Sequence, residues 1–135
     1  EEESVEGVEA FARYFVAVVE RARNTGETAE LERISSKQCS FCTNLISMIG
    51  EEYSDGRWLD GLSYRILEVD GPVVFPNDAK RFAVVVHLRS SGNGYFNGES
   101  VVPISKKDES LELHVCRETQ EWRTCEAIGS SDGRS

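Results

Sequence analysis

The sequence predicts an α+β fold, with three N-terminal helices followed by an antiparallel sheet of four to six strands. Apolar residues recur at helical spacing up to about residue 53, whereas strand-like alternation of β-branched and aromatic residues dominates from Arg57 onward. Helices that precede the strands, rather than alternating with them, are typical of an α+β domain and not of a doubly wound one.

Length and charge indicate one small acidic domain. The chain has 135 residues, and 15 Lys and Arg against 24 Asp and Glu give a net charge of −9. Nucleic acids and anionic membrane surfaces attract basic patches, so we expect neither as a partner. No apolar run approaches the roughly 18 residues of a membrane span. We assign residues 5–128 to the domain, 1–4 to a linker remnant and 129–135 to a flexible tail of linker composition.

Residues 5–23 form the clearest helix. Their apolar positions make one continuous stripe: Val8, Phe11, Ala12, Phe15, Val18, Val19 and Ala22. Acidic residues precede this helix, and Arg21 and Arg23 lie near its end, which suits the helix dipole. We expect both phenylalanines to be buried against the strand of residues 82–88.

Two further helices are predicted before the strands begin. A short one starts near Thr28 and runs through Ile34. The third follows Cys39 and ends at Tyr53, with four apolar residues facing inward: Phe41, Leu45, Ile46 and Ile49.

The second half of the chain is predicted to form strands at Trp58-Leu59, 64–69, 81–89 and 100–104, and a closing hairpin of 109–118 and 122–128. The strand of residues 81–89 carries the strongest apolar face, with Phe82, Val84, Val86 and Leu88. Asp70-Gly71-Pro72 is predicted to bound the second strand, and two Asn-Gly steps predict a connection at residues 90–98.

The four cysteines form a close pair in each half of the chain: Cys39 with Cys42 and Cys116 with Cys125. In an oxidising compartment such pairs indicate local disulfides, and in a cytosolic one they indicate metal or redox chemistry. Four cysteines permit three connectivities. A hairpin turning at residues 119–121 would set Cys116 opposite Cys125 on a polar outer face, which favours the local pairing.

Cys39-x-x-Cys42 has two functional alternatives. A redox-active pair at a helix N-terminus needs a preceding strand, and residues 31–34 look helical instead. Zinc would need two more ligands, and the second cysteine pair is spaced by eight residues, unlike a zinc knuckle. We therefore interpret the pair as a structural disulfide and predict neither a metal nor a cofactor.

Four residues could serve an enzyme that pairs a base with a hydroxyl donor: Asp60, His87, Tyr14 and Tyr64. Each also has a structural explanation, as a turn carboxylate, a strand histidine, or a core or rim aromatic. The sequence shows no Ser-His-Asp, Cys-His, P-loop or paired-His spacing. These four are therefore secondary to a binding role.

Aromatic residues in the predicted connection favour binding. Tyr95 and Phe96 lie between the two Asn-Gly steps, and loops on a rigid scaffold commonly carry recognition residues. Together with Trp58, they are the predicted ligand- or partner-binding residues.

A specific block of residues supports a family assignment. The long first helix ends in Arg23-Asn-Thr-Gly-Glu-Thr28, followed by Ile34-Ser35-Ser36 and Cys39-x-x-Cys42. This block, most specific over residues 8–53, resembles an uncharacterised family of actinobacterial secreted lipoproteins, whose members place it after a lipobox and a low-complexity linker. The order of elements is also similar to the nuclear-transport-factor-2-like superfold, a cone made by a curved sheet wrapped over three helices.

The resemblance implies a compartment and a fold but no reaction, because the family has no established activity. It implies an extracellular, cell-surface domain that touches the membrane only through a lipid anchor upstream of this sequence. We expect a non-catalytic domain, monomeric or homodimeric, that binds an unknown small molecule or an envelope component. An isomerase- or dehydratase-like enzyme using the cone cavity is the alternative, and a thiol–disulfide protein using Cys39-x-x-Cys42 is the second alternative.

Overall fold

The computed structural model describes residues 5–131. Three helices come first, α1 (Val5–Thr25), α2 (Ala29–Arg33) and α3 (Ser40–Ser54). Five strands follow, β1 (Trp58–Asp60), β2 (Ser63–Phe75), β3 (Asp78–Phe96), β4 (Val101–Glu118) and β5 (Glu121–Ser131). The predicted linker remnant and residues 132–135 of the predicted tail lie outside the described residues.

The sheet is antiparallel and is organised around β3. One side of β3 pairs with β2 and, near its end, with β1, while its other side pairs with β4, which in turn pairs with β5. The sheet curls into a half-barrel. Within the described residues, no helix is long and apolar enough to cross a membrane.

The core lies between α1 and the concave face of the sheet. The apolar stripe of α1 is buried, including Phe11 at 9% and Phe15 at 0% exposure. It meets the alternating inward residues of the central strands: Phe82, Val84, Val86 and Leu88 of β3 with Leu113 and Val115 of β4. The predicted burial of both phenylalanines is confirmed.

The predicted fold class is wrong in how the helices pack. Among the helices, α1 alone lies across the sheet and contacts all five strands, while α3 packs chiefly against the edge strand β5. Helix α2 packs on the other two helices, and a bridge between Ser35 and Thr124 links the following residues to the sheet. The reason is size: α2 has five residues and buries only Leu31, so it cannot cover a sheet face. A nuclear-transport-factor-2-like cone with all three helices inside it is therefore not the arrangement observed.

Two predicted strand boundaries are also wrong. Strand β2 continues through Asp70-Gly71-Pro72, where its register with β3 shifts between Asp70 and Val73. Strand β3 continues through most of the predicted connection at residues 90–98 and pairs there with β1 and β4. Glycine is required at position 94 of this strand because a Cβ there would clash with the side chain of Val101 of β4.

The closing hairpin has a tighter turn than predicted. Thr119 and Gln120 both have positive φ, 51° and 67°, and form a two-residue turn that sets Glu118 opposite Glu121. This moves the register, so Cys116 lies opposite Arg123 rather than Cys125. A bulge then brings Cys125 close enough for the disulfide, with the two Cα atoms 6.1 Å apart.

Candidate ligand-binding site

A crevice of about 150 Å³ lies between α1, α3 and the concave face of the sheet. Its apolar walls come from three parts of the chain: Val16 and Val19 of α1, Phe41 and Leu45 of α3, and Leu88 and Leu111 of the sheet. Gly129 of β5 also borders the crevice, and its missing side chain leaves room beside Phe41 and Leu111. Apolar cavities of this size hold a molecule about as large as benzene.

One end of the crevice is polar. Arg23, at the end of α1, donates from Nη1 to the hydroxyl oxygen of Tyr64 over 2.8 Å. Glu20 accepts the backbone N–H of Tyr64 at 2.7 Å, and the hydroxyl of Ser90 donates to Glu109 at 3.0 Å. At this end the crevice is therefore lined by the cation of Arg23, the hydroxyl of Tyr64 and the carboxylate of Glu109, while Glu20 and Ser90 hydrogen-bond these residues without lining the crevice.

Burial raises the pKa of Tyr64, which opposes loss of its proton, although the nearby Arg23 guanidinium pulls the pKa the other way. The hydroxyl therefore stays protonated at neutral pH. Its oxygen accepts from Arg23, so its hydrogen can be donated to a molecule in the crevice.

Arg23 is held in place by the chain around it. Its backbone carbonyl accepts the hydroxyl of Tyr53 at 2.7 Å, which ties the end of α1 to α3. Its Nε is buried and has no hydrogen-bond partner within the described residues. No sequence pattern indicates this role, because the helix dipole equally explains an arginine at position 23.

A larger groove of about 670 Å³ runs between α1 and α2. Tyr14 lies here, 45% exposed, and donates its hydroxyl to Glu30. Arg33 donates to both oxygens of Glu30, at 2.8 and 2.6 Å, and this hydrogen bonding lowers the pKa of Glu30 to about 2. These charged groups satisfy one another, so the groove offers a ligand fewer unpaired groups than the crevice does.

His87 lies on the convex face of the sheet and lines neither cavity. Its Nε2 is 2.8 Å from Asp70 and its Nδ1 is 3.0 Å from the hydroxyl of Ser110. Strand pairing thus assembles a serine, a histidine and an aspartate that are far apart in the sequence. The cluster lies across β2, β3 and β4, with the His87 side chain on the face opposite the crevice, while the chain at Ser110 also lines the crevice.

The remaining candidates are dispersed. Asp60 ends β1, where its backbone pairs with Gly94, and its side chain is outside the part that the structure describes. Trp58 and Phe96 stack with ring centroids 5.3 Å apart, on paired strands rather than on a loop. The alternation of the strand places Tyr95 apart from Phe96, beside the guanidinium of Arg57. Of the six predicted catalytic and binding residues whose side chains the structure describes, Tyr64 is the one that lines the crevice.

The structure pairs Cys39 with Cys42 and Cys116 with Cys125. Cys39 and Cys42 are 0% and 1% exposed at the start of α3. Cys116 and Cys125 also lie close to Glu118, but both sulfurs are bonded to each other and cannot act as thiolate ligands.

Comparisons with known proteins give a family and a fold. A family model described as a family of unknown function (DUF6318) matches residues 1–127. The structure is similar to the intermembrane space region of chloroplast protein ARC6, with a TM-score of 0.76 and 12% identity over 98% of this chain and 100% of that one. It is also similar to an uncharacterised protein with a cystatin-like fold from Caulobacter vibrioides, with a TM-score of 0.62 and 12% identity over 96% and 92% of the two chains. At this identity both likenesses concern the fold alone. No curated protein matches the sequence.

Proposed function

The chain belongs to the DUF6318 family of unknown function, and from this premise we propose that it is a non-catalytic binding domain of a secreted cell-envelope lipoprotein. The domain takes a small, largely apolar ligand into the crevice between α1, α3 and the sheet. The observation that carries the proposal is the crevice itself, with apolar walls from three segments and a polar end at Arg23 and Tyr64. Such a combination is typical of small-molecule sites.

Two disulfides support a location outside the cytoplasm, because disulfides persist in oxidising compartments. The lipid anchor and the actinobacterial envelope rest on the resemblance of residues 8–53 to secreted lipoproteins. In this arrangement a tether upstream of α1 holds the domain at the plasma membrane and leaves the crevice open to the surroundings.

The positions of the candidate catalytic residues favour binding over the enzymatic alternative. Tyr14 lies in the outer groove and His87 on the convex face, while Tyr64 lines the crevice. An isomerase- or dehydratase-like reaction needs a base and a donor on the same substrate. The thiol–disulfide alternative is opposed by the burial of Cys39 and Cys42, since exchange requires access to sulfur.

The test uses benzyl alcohol, a neutral probe of benzene size, followed by amide chemical shifts in nuclear magnetic resonance. We expect shifts concentrated around Val19, Leu45, Leu88 and Leu111. Gly129→Val should abolish them, because a Cβ there meets Phe41 and Leu111 at ordinary contact distances of 3.8 and 4.0 Å and its methyl groups extend into the crevice.

Gly50→Val is the matched control, because a Cβ at Gly50 of α3 meets nothing within 4 Å. Both variants should melt like the wild type, and the control should bind benzyl alcohol unchanged. Shifts that map away from the crevice, or undiminished binding by Gly129→Val, would refute the proposed site.

A further inference from the structure

We infer that the ligand of the crevice carries a single carboxylate, bound by the guanidinium of Arg23 and by the hydroxyl of Tyr64. This inference rests on the proposed function and adds the chemical class of the ligand. A small aromatic or short-chain monocarboxylic acid fits both the apolar walls and the polar end.

The first observation is the incomplete pairing of Arg23. Nη1 donates to Tyr64, while Nε is buried without a partner and Nη2 donates to no group within residues 5–131. Within the same residues, no carboxylate lies within ion-pair distance of the guanidinium. A buried donor without a partner costs free energy, so the site gains when a ligand supplies an acceptor.

The second observation is how other arginines of this chain use the same edge. Three of them each direct Nε and Nη2 to one carboxylate: Arg13 to Glu9, Arg33 to Glu30 and Arg89 to Asp108. The chain has 24 acidic residues to supply such partners. Arg23 lines the crevice and the chain supplies it with no carboxylate, and a planar carboxylate is the group that matches a guanidinium.

The third observation concerns the charge of the ligand. Glu109 lines the polar end and accepts the hydroxyl of Ser90, and Glu20 lies behind Tyr64, whose backbone N–H it accepts. Both carboxylates, together with the negative end of the α1 dipole, repel a doubly charged group more than a singly charged one. The site therefore favours a monocarboxylate over a phosphate.

Tyr64 completes the proposed contact. Its hydroxyl already accepts from Arg23, and its proton is available to a ligand oxygen beside the guanidinium edge. The raised pKa of Tyr64, caused mainly by burial, keeps that proton in place at neutral pH.

The experiment compares benzoate with benzyl alcohol, which share a ring and differ in the carboxylate, and adds inorganic phosphate as a third probe. Hydrogen bonds to charged groups are worth about tenfold to a hundredfold in affinity. We therefore expect benzoate to bind the wild type at least about tenfold more tightly than benzyl alcohol, and phosphate to bind more weakly than benzoate.

Arg23→Gln should bring the affinity for benzoate down to that for benzyl alcohol, and Tyr64→Phe should weaken benzoate alone. Arg13→Gln is the matched control on the same helix, because Arg13 is exposed and paired with Glu9, and it should leave both affinities unchanged. If Arg23→Gln does not fold, Arg23→Lys replaces it: this variant keeps the charge, loses the planar fork, and should lose most of the preference for benzoate.

The outcomes separate the two proposals. If benzyl alcohol shifts the crevice amides but benzoate binds no more tightly, the ligand class is wrong and the binding site stands. If neither probe shifts those amides, the proposed function fails as well. Phosphate binding more tightly than benzoate, or full benzoate affinity in Arg23→Gln, would overturn the inference directly.

Discussion

Replacing Phe15 with alanine tests whether the core lies where the structure places it. Phe15 is 0% exposed, and its ring centroid lies 6.3 Å from that of Phe11 in the core between α1 and the sheet. Truncating a buried phenylalanine costs about 3–5 kcal/mol of unfolding free energy. For a domain of this size, that loss lowers the melting temperature by about 10–20 °C.

Tyr14→Ala is the matched control, because Tyr14 precedes Phe15 in α1, faces the outer groove and is 45% exposed. Removing it loses a surface hydrogen bond to Glu30 and should cost no more than about 1 kcal/mol. Thermal and urea unfolding followed by circular dichroism measure both variants. The assignment of core and surface on α1 would be wrong if Phe15→Ala had the melting temperature of the wild type, or if Tyr14→Ala lowered the melting temperature as much as Phe15→Ala.

Two further predictions concern charge and cysteines. The pKa of Glu30 is lowered, so its ion pair stabilises the fold at neutral pH, and this contribution is lost as pH falls from about 4.5 towards about 2. The difference in unfolding free energy between wild type and Glu30→Gln, measured by urea denaturation, should therefore shrink as the pH falls over that range. A difference that stayed constant would contradict this prediction. Non-reducing peptide mapping should link Cys39 to Cys42 and Cys116 to Cys125, and a crossed link would refute the pairing.

The helices and the inner sheet face could be predicted because their signals are local and repeated. The apolar stripe on α1 follows the helical period and the alternation at Phe82, Val84, Val86 and Leu88 follows the strand period. Both patterns mark the residues that the fold buries. The cysteine pairing could also be predicted, since the two cysteines of each disulfide are close in the sequence.

Strand ends and helix packing could not be predicted in the same way. The sequence around Gly71 and Gly94 predicts turns, yet pairing with neighbouring strands keeps Gly71 within β2 and Gly94 within β3. The packing of α3 against β5 depends on how far the sheet curls, which no single segment encodes. Turn propensity is a local preference that tertiary pairing overrides at these positions.

The candidate site was the least predictable part. Its lining residues come from α1, α3 and four strands, β2 to β5, and only folding brings these segments together. Arg23 resembled an ordinary helix-end cation, and Tyr64 an ordinary rim aromatic. What distinguishes them is the hydrogen bond between them and the unpaired edge of the guanidinium.

A crystal structure of the domain soaked with benzoate tests the central claim most directly. We expect the ring between Leu45, Leu88 and Leu111, with a carboxylate oxygen within hydrogen-bond distance of the Arg23 guanidinium. Benzoate bound elsewhere, or a crevice filled by side chains with Arg23 paired to Glu20 or Glu109, would contradict it.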